Sequence, residues 1–300
     1  MLCSCLCTVG SFVSIALAGE KSAEVLLEEA LELFDKRFWD EEQGLTYDTW
    51  NTEFTVLDDY RGLNANMHTV EAFLAVADAI KFEKYRIRAG RIIDHVIEWA
   101  HSNEWRIPEH FTKEWKADLD CNKEQPSDRF KPYGATPGHG IEWARLIVQW
   151  AESSYKDNLK NAEPYLNAAE KLYNRAIEDA WNVDGNPGIV YTTDWNGKPV
   201  VRDRMHWTLA EAINTSAVLW HITHKQKYAR DYEEFLCYLD EKVLDHKNGS
   251  WFHQLDENNN VIGTVWPGKS DVYHAFQATW IPYGTPYVSI ASDIKEHMRK

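Results

Sequence analysis

The sequence predicts an all-α fold of helical hairpins stacked side by side, and three observations support it. Four apolar segments alternate with four amphipathic segments along the 300 residues. The apolar segments are apolar nearly all round, whereas the amphipathic segments carry charge on one side. The first kind is expected to form inner helices and the second kind outer helices. The linkers contain two short strand–turn–strand patterns and no Ser/Gly-rich boundary. This arrangement is typical of a solenoid or a closed α/α barrel, in one domain with small β-hairpin insertions.

The inner layer is predicted from helices that are apolar nearly all round. Four segments have this character, and their starts are 74, 67 and 66 residues apart. Such regular spacing favours an internal repeat. The predicted inner helices cover residues 64–80, 138–154, 205–224 and 271–283.

The outer layer is predicted from segments with Leu, Ile, Tyr and Trp at helical spacing on one side and charge on the other. These segments are residues 22–40, 84–102, 161–181 and 227–245. Between helices, residues 188–201 and 249–263 each place two short strands around an Asn/Gly-rich turn, which is typical of a β-hairpin.

The net charge of the chain limits which macromolecules it is expected to bind. A formal net charge of −15 at pH 7 would repel nucleic acid and anionic membranes. Lys and Arg are scattered among more numerous Asp and Glu, so we expect neither partner. The 14 Trp and 14 Tyr suit core packing, and they would also suit a pocket that stacks on sugars. Association into a homo-oligomer is left open.

The N-terminal segment has two interpretations. Residues 2–18 are apolar and end in Ala-Leu-Ala, which a signal peptidase could cut. Against a signal peptide, no Lys or Arg precedes the apolar run, and the run is too interrupted for a membrane span. Cys121 and Cys237 are isolated in the sequence and are interpreted as reduced residues of a cytoplasmic protein.

Each predicted inner helix carries a histidine within its first few residues. In a barrel of hairpins the inner helices run parallel, so their N-terminal ends share one mouth. A helix N-terminus disfavours imidazolium, which keeps such a histidine neutral and able to act as a base near pH 7. We expect the four side chains to face one cavity, with a purely structural role as the alternative for any single one. They are His68, His139, His206 and His274.

Carboxylates occur near these histidines at helical spacing. Glu142 follows His139 by three residues and so lies on the same helical face. It could accept a hydrogen bond from the imidazole and fix its tautomer, or it could pair with Arg145, which is again three residues on. Glu211 lies inside an apolar run, where a buried carboxylate needs a His, an Arg or a bound hydroxyl as partner.

A metal or cofactor site has little support in the sequence. His and Glu three residues apart can bind a metal together. However, there is no HExxH, no Asp-rich loop and no cysteine pattern with zinc spacing. A GxSxG turn, a P-loop and a GxGxxG motif after a strand are absent from the sequence as well. We therefore expect no metal and no cofactor.

Four ordered motifs carry a resemblance to a known family. They are YRGLNANMH (60–68), GHGIEWARL (138–146), HWTLAEA (206–212) and GKSDVYHAFQ (268–277). In this order and spacing they resemble the N-acylglucosamine 2-epimerase superfamily, and specifically its aldose-ketose isomerase branch. The resemblance runs from about Ser11 to the C-terminus. It implies an (α/α)6 barrel and metal-independent proton transfer on a reducing sugar.

The resemblance also implies roles for individual residues. His139 and His274 fall on the positions of the acid/base pair, and His68 falls on that of a third histidine at the sugar. We add His206 as substrate-binding because it is the fourth of the converging histidines. The other positions that contact the sugar or orient the histidines are Asn64, Arg129, Glu142 and Glu211. In the implied reaction, a base removes the proton alpha to the open-chain carbonyl and gives a cis-enediol(ate).

The family resemblance leads to an expectation about the N-terminus. Family members have further chain before the stretch that resembles SFVSIALA (11–18). We therefore interpret residues 1–10 as an unrelated or mispredicted segment. Residues 11–300 are expected to form one isomerase/epimerase domain whose barrel is incomplete at the N-terminus.

The expected function is isomerisation of an aldose to a ketose, of the mannose/fructose type, on a monosaccharide substrate. A sugar 2-epimerase of the N-acylglucosamine or cellobiose type is the first alternative, because it uses a related intermediate. An α/α-barrel glycoside hydrolase would need a pair of catalytic carboxylates instead. An inactive, truncated family member with a binding role is the alternative that is not an enzyme.

Overall fold

The computed structural model describes residues 19–270, 272–286 and 288–297. The interpretations of residues 1–18, as a signal peptide or as an unrelated start followed by a helical tail, lie outside the described residues. A 3-10 turn covers Leu159–Asn161, and a π-helical turn over Leu239–Val243 continues the seventh helix. The α-helices are α1 Lys21–Arg37, α2 Leu63–Ile80, α3 Glu83–Ser102, α4 Pro137–Ser154, α5 Glu163–Ala180, α6 His206–Thr223, α7 Gln226–Tyr238, α8 Val272–Trp280 and α9 Ile290–His297.

The helices form two layers. Helices α2, α4, α6 and α8 pack side by side in chain order and form the inner layer. Outside them, α3, α5 and α7 each pack against the inner helix that precedes them. Helix α1 lies against α2, where the rings of Phe34 and Phe73 meet edge-on with centroids 5.3 Å apart. Helix α9 packs against α2 as well. The prediction of an all-α fold with alternating inner and outer helices is confirmed.

Burial explains which helices are inner. In α6 every residue from Thr208 to Leu219 is buried. In α7 the buried residues are Tyr228, Phe235 and Tyr238, which share one side of the helix. A helix that is apolar all round is stable only where other helices cover every side, which the inner layer provides. None of the described helices is both long and apolar enough to cross a lipid bilayer.

Short antiparallel strands connect the helices. The pairs are β1–β2, β3–β4 and β5–β6, and β7, β8 and β9 form a three-stranded sheet with β8 in the middle. The strands are β1 Trp39–Asp40, β2 Leu45–Thr46, β3 Arg61–Gly62, β4 His110–Phe111, β5 Thr192–Thr193, β6 Pro199–Val201, β7 Arg204–Met205, β8 Gln254–Leu255 and β9 Val261–Ile262.

The two predicted hairpins are confirmed as β5–β6 and β8–β9, whereas β1–β2, β3–β4 and the addition of β7 were not predicted. Strands β3 and β7 lead directly into α2 and α6. Short strands therefore surround the N-terminal ends of the inner helices.

Strand β5 fixes the point where α4 begins. Ala135 and Thr193 exchange two backbone hydrogen bonds, of 2.9 and 3.0 Å. Gly134 precedes this contact with a φ of +93°, and a Cβ at that position would overlap the carbonyl oxygen of Thr193. Pro137 then starts the helix, where its missing N–H removes no helical hydrogen bond.

Gly138 allows α4 and α6 to approach closely at the same end. A Cβ at this glycine would lie 2.7 Å from the indole of Trp207 and 2.7 Å from the methyl group of Thr208. Gly138 thus leaves room for the indole of Trp207 beside the start of α4.

Candidate active site

The four histidines predicted from the sequence lie near the N-terminal ends of the inner helices. His206 begins α6, His139 and His274 are the third residues of α4 and α8, and His68 is the sixth residue of α2. All four helices belong to one packed layer. This end of the layer, with the side chains that surround the four imidazoles, is called the histidine mouth below.

Trp207 brings the N-terminal ends of α4 and α8 together in the histidine mouth. Its ring centroid lies 5.0 Å from that of His139 and 6.1 Å from that of His274. On the other side of His274, the ring of His206 lies edge-on at 5.6 Å. The imidazoles of two inner helices, α4 and α8, therefore lie beside one indole of α6, and His139 and His274 share a single region.

Both ring nitrogens of His139 have partners. Nδ1 lies 2.9 Å from Oε2 of Glu109, and Nε2 lies 3.3 Å from Nδ2 of Asn64. Glu109 is only 6% exposed. The expectation that Glu142 would orient His139 is wrong, because Glu109 from another part of the chain makes that contact. Glu142 lies instead 3.5 Å from Arg145, and this pairing was the alternative interpretation of Glu142.

Below the mouth, a group of carboxylates surrounds one buried guanidinium. Arg145 is 2% exposed, and its Nε donates to Oε2 of Glu211 at 2.8 Å. Its Nη2 lies 3.5 Å from Glu142 and 3.7 Å from Glu71. Glu142 and Glu211 are 1% and 0% exposed. We call these four residues the carboxylate layer; the prediction that Glu211 needs a partner is confirmed with Arg145.

The charges in the carboxylate layer are unequal. Burial and the neighbouring charge of Glu211 raise the pKa of Glu142 well above its ordinary value, although Arg145 acts in the opposite direction. Burial alone would also raise the pKa of Glu71, but hydrogen bonding with His68 and the charge of Arg145 lower it to about 2. The protonated form is thus favoured at Glu142 relative to an ordinary glutamate, whereas the anion is favoured at Glu71.

Helix α8 is joined to α2 through Glu71. The hydroxyl of Tyr273 donates to Oε2 of Glu71, and Nε2 of Gln277 donates to Oε1 at 3.2 Å. Nδ1 of His68 lies 3.5 Å from the same carboxylate. Desolvation of the hydroxyl and the Glu71 anion raise the pKa of Tyr273 well above its ordinary value, although 43% of the residue is exposed, so its hydroxyl stays a donor. These contacts bring His68 and the helix of His274 to the same side of the mouth.

Arg129 lies at the outer edge of the mouth and is exposed. Its guanidinium carbon lies 4.0 Å from the ring centroid of Trp266, a geometry that favours cation–π attraction. Trp266 stacks on His253 at 5.8 Å, and His253 lies 4.5 Å from His206. A continuous row of rings thus connects Arg129 to the histidines.

A metal ion could be considered at His68, Glu71 and Glu142, whose ligand atoms lie within 4.8 Å of one another. The same carboxylates already have a cation beside them in Arg145, and Tyr273 and Gln277 donate to Glu71. Burial also raises the pKa of Glu142, which disfavours the ionised carboxylate that a metal ion needs. The donor set fits a hydrogen-bonded layer better than a divalent cation.

The sequence profile of the N-acylglucosamine 2-epimerase (GlcNAc 2-epimerase) family matches residues 9–278. The chain belongs to this family. It is 40% identical over 280 residues to a D-mannose isomerase of Pseudomonas cannabina pv. alisalensis, covering 93% of this chain and 68% of that protein. It is 41% identical over 271 residues to a D-mannose isomerase of Thermobifida fusca, covering 90% and 66%. The chain thus spans about two thirds of the length of these GlcNAc 2-epimerase family relatives.

Solved structures of the same fold are similar to the described helices. A crystal structure of D-mannose isomerase superimposes with a TM-score of 0.84 at 29% identity, covering 93% of this chain and 71% of that one. A cellobiose 2-epimerase of Spirochaeta thermophila DSM 6192 superimposes with a TM-score of 0.76 at 16% identity, covering 98% and 70%. The second likeness concerns the fold alone. The expected (α/α)6-barrel fold is confirmed for this GlcNAc 2-epimerase family chain.

Several residues of the site were missed by the sequence analysis. Glu109 lies outside the inner helices, at a place where its sequence has no helical period, so only the β3–β4 pairing brings it to His139. Trp207 and Tyr273 were available as aromatic neighbours of predicted histidines, and this adjacency was the signal that could have found them. His253 lies inside the hairpin predicted for residues 249–263, directly before β8, and gave no comparable signal.

Proposed function

We propose that the protein is an aldose–ketose isomerase that interconverts mannose and fructose through a cis-enediol(ate). The observation that carries the proposal is the placement of His139 and His274 on the same indole, at 5.0 and 6.1 Å. Two imidazoles near a common point can remove a proton from one carbon and return it to the neighbouring one. The D-mannose isomerases at 40% and 41% identity support this choice of sugar.

The remaining side chains have supporting roles in this proposal. His68 and His206 would donate hydrogen bonds to sugar hydroxyls, and Arg129 would stabilise the oxygens of the enediolate. We expect Asn64 to hold His139 and also to contact the sugar. Glu142 and Glu211 would act from the carboxylate layer, by holding Arg145 beneath the sugar. The proton transfers are proposed to be independent of a metal.

Incubation of the purified protein with mannose, fructose, glucose or cellobiose in D2O tests the reaction and the substrate together. The isomerase proposal predicts ketose from mannose, with deuterium at C1 or C2. A C2-inverted aldose without ketose would identify a 2-epimerase instead, which the family and the structural likeness to cellobiose 2-epimerase make the second candidate. No turnover by folded protein would contradict both.

Substitution of the two histidines tests their role. His139→Gln and His274→Gln should each lower kcat by about 10²- to 10⁴-fold, because each removes a group that transfers a proton. His221→Gln, at the opposite end of α6, is the matched control and should keep wild-type turnover. Retained isomerisation in either of the first two variants would overturn the assignment. Circular dichroism of all three variants checks that the fold is unchanged.

We also propose a single domain in the cytoplasm. The buried core is one continuous cluster from Leu27 to Ile281, which supports one domain over that part of the chain. Cys121 and Cys237 are free thiols, as expected in a reducing compartment.

A further inference from the structure

Glu109 is a buried carboxylate that the proposed proton transfer does not itself use. Its Oε2 lies 2.9 Å from Nδ1 of His139, on the side of the ring away from Asn64. Only 5% of its side chain is exposed. Within the described residues, its Oε1 has no hydrogen-bond partner. Since this carboxylate is buried and has one main contact, its role is expected to depend on that contact with His139.

The backbone fixes Glu109 tightly. Its carbonyl oxygen accepts from the backbone N–H of Leu63 at 3.0 Å, at the first residue of α2. The next residue, His110, pairs with Gly62 in the β3–β4 ladder. The hydroxyl of Tyr60 donates to Nδ1 of His110 at 2.8 Å, and Nε2 of His110 donates to the carbonyl of Pro132 at 2.9 Å. The carboxylate is therefore held by a rigid corner rather than by a mobile loop.

The partners of His139 determine which ring nitrogen carries hydrogen. An ionised carboxylate only accepts hydrogen bonds, so Nδ1 must be the protonated nitrogen facing Glu109. The Nδ2 amide of Asn64 only donates, so Nε2 must offer its lone pair. Nε2 is also on the edge of the ring away from Glu109, which leaves it as the basic nitrogen of His139.

We propose that Glu109 is the positioning residue of His139: it fixes the tautomer with hydrogen on Nδ1 and so presents Nε2 as the base. The inference rests on the proposed function for its catalytic consequence. In the forward step, Nε2 takes the proton from C2, the electron pair of that C–H bond forms a C1–C2 double bond, and the carbonyl pair moves onto O1 to give the enediolate. The imidazolium that results donates from Nδ1 to the Glu109 carboxylate until Nε2 returns the proton to C1. The hydroxyl proton of O2 passes to O1 through His274, the second acid/base group, so that the ketone forms at C2 and His139 is again neutral.

The test compares Glu109→Gln with Glu109→Asp. Gln has the same shape, but its amide can either accept from or donate to Nδ1, so the tautomer is no longer fixed. Asp keeps an acceptor-only carboxylate at a slightly longer reach. Glu114→Gln, an exposed carboxylate of the same segment, is the matched control.

The first readout is the ¹⁵N spectrum of histidine-labelled protein, with the His139 signals identified by their loss in His139→Gln. In the wild type and in Glu109→Asp we expect hydrogen on Nδ1 and a bare Nε2. In Glu109→Gln we expect a mixture of the two tautomers. A wild-type spectrum with bare Nδ1, or an unchanged tautomer in Glu109→Gln, would overturn the proposal. This readout needs no turnover, so it decides the role of Glu109 even where the proposed function fails.

The second readout is steady-state kinetics on mannose. Loss of the fixed tautomer should lower kcat of Glu109→Gln by about 10²-fold with little change in KM, because the base is impaired while the sugar contacts remain. Glu109→Asp should recover a large part of kcat, and Glu114→Gln should match the wild type. Equal kcat in Glu109→Gln and the wild type would contradict a positioning role, as would a change confined to KM.

Discussion

Glu109 and Glu142 are both buried carboxylates close to His139, but they have different partners. Glu142 lies on the same helix as His139, three residues on, yet its contact is with Arg145 at 3.5 Å. Glu109 lies thirty residues before His139 and makes the 2.9 Å contact with its ring. Helical spacing places Glu142 three residues from both His139 and Arg145, and its contact is with the buried guanidinium. The comparison shows that helical spacing alone does not determine which carboxylate contacts His139.

The histidine mouth and the carboxylate layer also differ in how far their side chains are exposed to solvent. In the mouth, His68 and His139 keep 24% and 15% of their side chains exposed, whereas His206 is only 2% exposed. In the layer, Arg145 and Glu211 are almost fully enclosed and hold each other at 2.8 Å. Changes in the layer should therefore act mainly on stability, and changes in the mouth should act mainly on turnover.

The largest expected effect is in the carboxylate layer. Arg145→Met would leave Glu211 buried without its cation, which should lower the free energy of unfolding by about 3–5 kcal/mol. Arg202→Met is the matched control, because Arg202 is 47% exposed and lies 3.9 Å from Glu257. The control should change stability by less than about 1 kcal/mol. Urea denaturation of both variants checks the prediction, and equal small losses would remove the distinction between layer and surface.

An intermediate effect is expected where α4 meets α6 at the mouth. Gly138→Ala would place a methyl group 2.7 Å from Trp207 and should cost about 1–3 kcal/mol of stability. Because Trp207 lies between His139 and His274, turnover should fall as well. Gly140→Ala is the control, since its Cβ would lie 3.4 Å from Ala176. Thermal unfolding and mannose turnover of the two variants are the measurements, and an active, stable Gly138→Ala would contradict the close approach.

The smallest expected effect concerns the proton on Glu142. Its pKa is raised above the ordinary value of 4.5 by burial, so the folded protein keeps a proton that the unfolded chain releases. The free energy of unfolding should therefore fall as pH rises above about 4.5. Glu142→Gln carries no such proton, and its stability should decline less between about pH 5 and about pH 8.

The free energy of unfolding, measured by urea denaturation at about pH 5 and about pH 8, tests the prediction for Glu142. A parallel decline in the wild type and in Glu142→Gln would show that Glu142 is ionised in the folded protein. Glu211→Gln gives the contrast within the layer, because Glu211 accepts directly from Arg145. That variant should lose stability at both pH values.

Much of the fold could be predicted from the sequence because burial of a helix imposes a helical period on its apolar residues. The segments 64–80 and 138–154 differ from α2 and α4 by one residue at the start. The segment 227–245 is less regular, since α7 ends at Tyr238 and a π-helical turn follows it. Strands of two residues leave no periodic signal, which is why β3–β4 was missed.

The site could be predicted only where it lies on the inner helices. The regular spacing of the repeats placed four histidines at one end, and two of them, His139 and His274, lie beside Trp207. Glu109 could not be assigned in this way, since its contact depends on a backbone pairing between distant segments. Partner choice inside the carboxylate layer likewise depends on the three-dimensional position of Arg145.

The links from Glu71 to α8 have a consequence for the order of events during synthesis. Glu71 and its donors Tyr273 and Gln277 are 202 and 206 residues apart in the chain. Their hydrogen bonds can form only after α8 has left the ribosome, and contacts at such separation are closed late in folding. A nascent chain that stops before Tyr273 would hold the Glu71 anion without these two donors, and the addition of α8 would complete the histidine mouth in a single late step.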